Sequence, residues 1–83
     1  MSNPALEEIL DFITSQPSLE SIINFSHSDA ILERVEYLIG AAEGNEMSED
    51  EHEELRQFYR AHEFIEQLKI RAKRRLGIRD ESS

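Results

Sequence analysis

The chain has 83 residues, 18 of them acidic and 9 basic, for a formal charge of −9, and it contains no cysteine. A length like this supports one small domain that buries only roughly 60–65% of its unfolded surface, so stability as a monomer is expected to be marginal. The absence of cysteine excludes a disulfide framework and a thiolate metal site, which leaves oligomerisation or a bound partner as the expected reinforcement.

Apolar residues recur at helical rather than alternating spacing, with only 3 Gly and 2 Pro, so the predicted fold is all-α with about four helices. Helix 1 is expected to start with Asn3 as its cap and Pro4 in its first turn, where a missing N–H costs nothing. Its apolar stripe is Leu6, Ile9, Leu10 and Ile13, and it stops before Gln16-Pro17. A short, buried connector helix follows, capped by Ser18, with Leu19, Ile22 and Ile23 on one side and Phe25 anchoring its exit.

Helix 3 opens at Ser26 or Ser28, with Asp29 placed to close a capping-box-like arrangement on Ser26. Its stripe is Ile31, Leu32, Val35, Leu38, Ile39 and Ala42, and Gly44-Asn45 ends it. Ser48 and Glu51 then form the S-x-x-E capping box of the dominant helix, predicted from about Glu49 to Leu76 with Gly77 as its stop. Helices 3 and 4, joined by about five residues, should form an antiparallel hairpin. The last helix is roughly 42 Å long at 1.5 Å per residue, against a radius of gyration of about 12 Å for a compact globule of this size. It should overhang its own domain. Its main stripe is Leu55, Phe58, Ala61, Ile65, Leu68, Ala72 and Leu76, yet Tyr59 and Ile70 lie well to one side and Phe64 lies nearly opposite Leu55. One small core does not cover all of these, and the remaining apolar surface predicts a second chain.

Charge is divided along the chain. The first 68 residues carry 16 acidic and 3 basic side chains, whereas residues 69 to 79 carry 6 basic and none acidic. Acids at the start of helix 4 and cations at its end both complement the helix dipole. The cations Lys69, Arg71, Lys73, Arg74, Arg75 and Arg79 are candidates for anion binding. They are spread around the helix, and the acidic body opposes long-range steering toward phosphate, so a protein partner is the preferred reading and a nucleic-acid-binding regulatory protein the alternative.

The motifs carry no evident reaction. The acids from Glu46 to Glu54 lack the spaced ligands and glycine of an EF-hand loop and read as a solvated first turn. His62-Glu63-Phe64-Ile65-Glu66 has the outline of the zinc motif H-E-x-x-H, but Glu66 stands where the second His belongs, so His62 reads as a half-buried or interface histidine. His27 reads as part of the turn before helix 3. No recognisable nucleophile motif or glycine-rich phosphate loop occurs, and carboxylates on exposed helix faces are poor acid–base catalysts. No enzyme activity, cofactor or metal is expected. The acidic start without a basic n-region, and the lack of an apolar run of about 20 residues, predict a soluble cytoplasmic protein with no membrane association.

His27-Ser28, Arg34-Val35 with Leu38-Ile39, Gly44, Ser48 with Glu51, Tyr59, His62, Leu68-Lys69, Ala72 and Arg74 through Leu76 follow in an order that resembles a group of short bacterial proteins. That group is common in cyanobacteria, mostly uncharacterised, and antitoxin-like. The resemblance spans about residues 27 to 76 and implies a small all-helical protein with a protein partner, typically a small nuclease or toxin encoded beside it. Residues 1 to 25 depart from the pattern, and no ribbon-helix-helix segment is visible. The expectation is a single helical domain at 1–77, a disordered polar tail at 78–83, and a non-catalytic homodimer whose dimer or partner interface uses Tyr59, His62, Phe64 and Ile70.

Overall fold

Four helices occupy the computed structural model, which describes residues 3–78: α1 (Pro4–Thr14), α2 (Leu19–Ile23), α3 (Asp29–Glu43) and α4 (Glu49–Leu76). No strand occurs among the described residues. The Asn3 side chain accepts the Leu6 N–H at 3.2 Å and Pro4 fills the first helical position. The Asn3 amide also donates to the Gln57 carbonyl at 3.0 Å, so the cap of α1 is at the same time a tie to α4. Pro17 disfavours right-handed helix at the residue before it. Gln16 accordingly turns into the left-handed region at φ 59°, and α1 ends.

Ser18 caps α2 by accepting from the Ser21 N–H at 3.1 Å. The connector is less buried than its sequence implied, since Leu19, Ile22 and Ile23 are all half-buried and none is fully enclosed. The start of α3 differs from the Ser26–Asp29 capping box expected of it. Ser28 is the cap residue, its hydroxyl makes no cap bond, and its N–H donates at 3.0 Å to the Glu8 carboxylate on α1. A full negative charge from another helix thus serves the positive end of α3, which a local serine–aspartate pair would have served less strongly. Both bonds of the α4 capping box are present, Ser48 to Glu51 in each direction. Gly77, at φ 78°, closes the helix with Ile78 N–H on the Lys73 carbonyl at 2.9 Å, a Schellman-type ending.

The spine is α4, and α1, α2 and α3 all pack against it. Ala5 and Ile9 from α1 meet Ala61 and Ile65 from α4 in the central cluster, flanked by Leu6, Ile13, Phe25, Ile31, Phe58 and Leu68. Ile9 and Ile65 are enclosed completely or nearly so, each contributing about 1.5–3 kcal/mol. Two stripes are narrower than predicted. Leu10 is 46% exposed and Ala5 takes the buried place instead. In α3 only Leu38 is fully buried, while Leu32 and Ile39 stay open because this helix packs mainly on α4.

The α3–α4 hairpin is antiparallel: Arg34 faces Glu54 while Tyr37, further along α3, faces Glu51, earlier in α4. Arg34 grips both Glu54 oxygens, at 2.7 and 2.9 Å, with its guanidinium 4.9 Å from the Tyr37 ring centre. That fork holds the Glu54 carboxyl below the ordinary carboxylate range. The molecule measures 44 × 30 × 18 Å with a radius of gyration of 14.8 Å, against about 12 Å for a compact chain of this length. Its long dimension is that of the 28-residue α4.

Candidate interaction surface

A polar joint at Phe25–Ser28 positions the surface. His27 is only 9% exposed, and its Nδ1 lies 2.9 Å from Glu8 Oε1, the same oxygen that accepts the Ser28 N–H. An ionised carboxylate only accepts, so Nδ1 carries the proton. The other ring nitrogen, Nε2, is buried without a hydrogen-bond partner. The imidazole sits edge-on to Phe25 at 5.2 Å and beside Phe58 at 5.5 Å. From the far side, Lys69 Nζ on α4 donates to the Phe25 carbonyl at 2.8 Å. Partial burial pushes the Glu8 carboxyl up, but the bonds from Ser28 and His27 outweigh it and leave the group below its usual value. Glu8 and Lys69 thereby fasten one short linker to α1 and to α4.

Beside this joint runs an open groove of about 320 Å³ between α3 and α4. Leu32, Phe58, Tyr59 and Ile65 supply apolar walls, and His62 and Lys69 stand at its polar side. His62 stacks on Phe58 with centroids 6.0 Å apart and planes 16° from parallel. Tyr59 is 52% exposed and Ile70 is 38% exposed. At about 100° per residue they lie within about 20° of each other on one flank of α4, whereas Phe64 lies about 120–140° away. Tyr59 and His62 thus share the groove, Ile70 lies on the same flank about 16 Å further along, and Phe64, also exposed, lies on a different face. Leu32, assigned to the core by its spacing, belongs to this surface.

The cations do not form one site. Lys69 is committed to Phe25, with Glu66 3.8 Å away, and Arg71 donates to the Gln67 side chain at 2.9 Å. Lys73, Arg74 and Arg75 are exposed, and as consecutive residues they point about 100° apart around the helix. Arg79 and the predicted tail beyond Ile78 lie outside the described residues. At the other end of α4, residues 35 to 55 contain eight acids and no lysine or arginine. The two charge regions are separated by about 36 Å between Glu49 and Lys73, at 1.5 Å per residue.

Among the described residues no group of three or more His, Asp or Glu side chains is arranged to hold a metal ion, and no helix is long and apolar enough to cross a membrane. The chain matches no family model, no curated protein and no solved structure. Sequence reasoning missed the roles of Glu8, His27 and Lys69. Each acts across 19 to 44 positions of chain, and only the mixture of aromatic and polar residues at Phe25-Ser26-His27-Ser28 marked the linker as unusual.

Proposed function

We propose that this protein is a non-catalytic interaction module, homodimeric through the Tyr59–His62–Ile70 flank of α4, that presents its acidic body to a basic protein partner. The observation that carries this reading is the pair Tyr59 and Ile70, large apolar side chains left open about 16 Å apart on one flank of the helix that spans the molecule. A small fold without disulfides gains most from covering such a pair with another chain. The acidic charge of residues 1 to 68 supports a cationic partner, since complementary fields raise association rates and exclude like-charged competitors. A small nuclease or toxin encoded nearby, as the family resemblance implies, has that chemistry. Phe64, on the other side of α4, stays open in such a dimer and is available to the partner.

Light scattering at micromolar concentration tests the dimer: a species near twice 9.7 kDa is expected. Tyr59→Glu with Ile70→Glu should return it to a monomer with unchanged helicity, because both positions are already open to water in the single chain. A folded wild-type monomer at all concentrations would refute the dimer. Co-expression with the product of an adjacent gene tests the partner, with loss of that product's toxicity expected and Phe64→Glu expected to restore it.

A further inference from the structure

The two ends of α4 complement each other in charge and in exposed apolar surface. The hairpin end carries Glu36, Glu43, Glu46 and Glu49 together with an open Ile39. At the far end, Lys73 and Arg74 accompany Leu76 and Ile78, which are 39% and 50% exposed. Leu76 lies 18 residues, or five full turns, beyond Phe58 and so remains in phase with the core stripe. It is nevertheless uncovered, because α4 has run past the helices that pack on it.

From this arrangement we infer that the second copy binds antiparallel, about a two-fold axis level with Ala61 at the Tyr59 end of the flank, so that Lys73, twelve residues beyond the axis, meets Glu49, twelve before it, and each cationic end rests on the partner's acidic hairpin tip. The inference rests on the homodimer reading and adds its orientation. A two-fold contact is self-complementary, so one match made at one end is repeated at the other. The antiparallel arrangement sets Lys73 and Arg74 against carboxylates twice over and opposes the helix dipoles. A parallel pair does the reverse. It stacks eight acids on eight acids at one end and five cations on five at the other, which contact distances inside the roughly 8 Å screening length do not relieve. The single-sign stretches at 35–55 and 69–75 thus specify orientation, while the apolar flank between them supplies the contact area.

Spin labels test the orientation in the full chain, which offers no native cysteine to interfere. Ala42→Cys labels the hairpin tip and Arg75→Cys labels the far end on the side away from the flank; both positions are exposed. Neither labelled protein alone should give a short interspin distance, and their equimolar mixture should give one. A short distance within either protein alone means a parallel pair, which overturns the orientation and leaves the homodimer standing. A monomer at every concentration overturns both. As a second measurement, Lys73→Glu with Arg74→Glu, and separately Glu36→Lys with Glu43→Lys, should each weaken self-association at least tenfold while helicity is kept. Mixing the two variants should restore the dimer. Unaltered dimerisation of both variants would show that the ends do not meet and would refute the proposed contact.

Discussion

Replacing Glu8 with alanine isolates what the linker joint contributes. In the native protein His27 has one hydrogen-bonded nitrogen and one buried nitrogen without a partner. Glu8→Ala leaves the enclosed ring with neither. A hydrogen bond to a charged group is worth about 1.5–3 kcal/mol, and a buried polar atom left bare costs about 1–3 kcal/mol. The Ser28 amide is exposed and recovers a water, and the Glu8 side chain is itself 27% exposed, which screens part of its charge. The expected loss at neutral pH is therefore about 2 kcal/mol. For a domain of this size that is a fall in Tm of about 8–16 °C, against a total stability of roughly 4–12 kcal/mol. Helical circular dichroism during thermal and urea unfolding measures it, at one fixed protein concentration because self-association shifts the midpoint. The diagnostic comparison is His27→Phe, which places a phenyl ring between Phe25 and Phe58 and removes both imidazole nitrogens. In that background Glu8→Ala should cost under about 1 kcal/mol, so the two positions couple by about 1 kcal/mol or more. Equal losses in the two backgrounds would show that Glu8 acts through the α3 terminus alone and would refute the account given for His27.

Glu8, Glu51 and Glu54 all titrate below their ordinary value of 4.5 in the folded chain, so their contribution to stability is full above that value and disappears as pH falls through the lowered ones. The urea midpoint should therefore drop between about pH 5 and about pH 3, with a shallower slope in Glu8→Gln; a flat profile would contradict the pairing. Lys69→Met keeps the aliphatic packing but frees the Phe25 carbonyl, and a loss of about 1–2 kcal/mol is expected in the same unfolding assay. Ile65→Asp puts an unpaired charge at a site 2% exposed in the central cluster and should leave no cooperative transition at 25 °C, read by circular dichroism. With the cationic ends occupied by the partner copy, duplex DNA should show no retardation in a gel even at about 50 mM salt; retardation abolished by Lys73→Glu with Arg74→Glu would transfer the function to nucleic-acid binding.

The parts of this fold written in local chemistry were legible. The limits of α4 follow from the Ser48–Glu51 box and from Gly77, and those of α1 from Asn3, Pro4 and Pro17. What escaped depended on which neighbour each helix met. Leu10 and Ala5 are both consistent with an apolar stripe, and only the placement of α1 against Ala61 and Ile65 selects the smaller residue for burial. Leu32 follows the core periodicity of α3, yet that helix is covered on a narrow seam, so the residue opens into the groove. Ser28 was one of the two starts expected for α3, but the Ser26–Asp29 box did not form, because a carboxylate 20 residues earlier accepts the Ser28 N–H. Tyr59 and Ile70 were separable from the core by helical phase, and the same arithmetic places Phe64 on another face.

The manner in which α3 is held has a consequence for hydrogen exchange. This helix leans mainly on α4, with Leu38 as its one fully buried residue, and a gap of about 270 Å³ lies between it and the first turn of α1. Peeling α3 away uncovers Leu38 and Ile31 but leaves the contacts among Ala5, Ile9, Ala61 and Ile65 in place. The chain is thus divided into two cooperative units, one formed by α1, α2 and the centre of α4, and a weaker one formed by α3 and the turn before α4. Amides of α3 exchange through sub-global opening at a free energy well under that of global unfolding, while those around Ile65 wait for the whole chain to unfold. A second molecule bound across the hairpin would close that gap in protection, making the exchange rate of α3 a direct gauge of association.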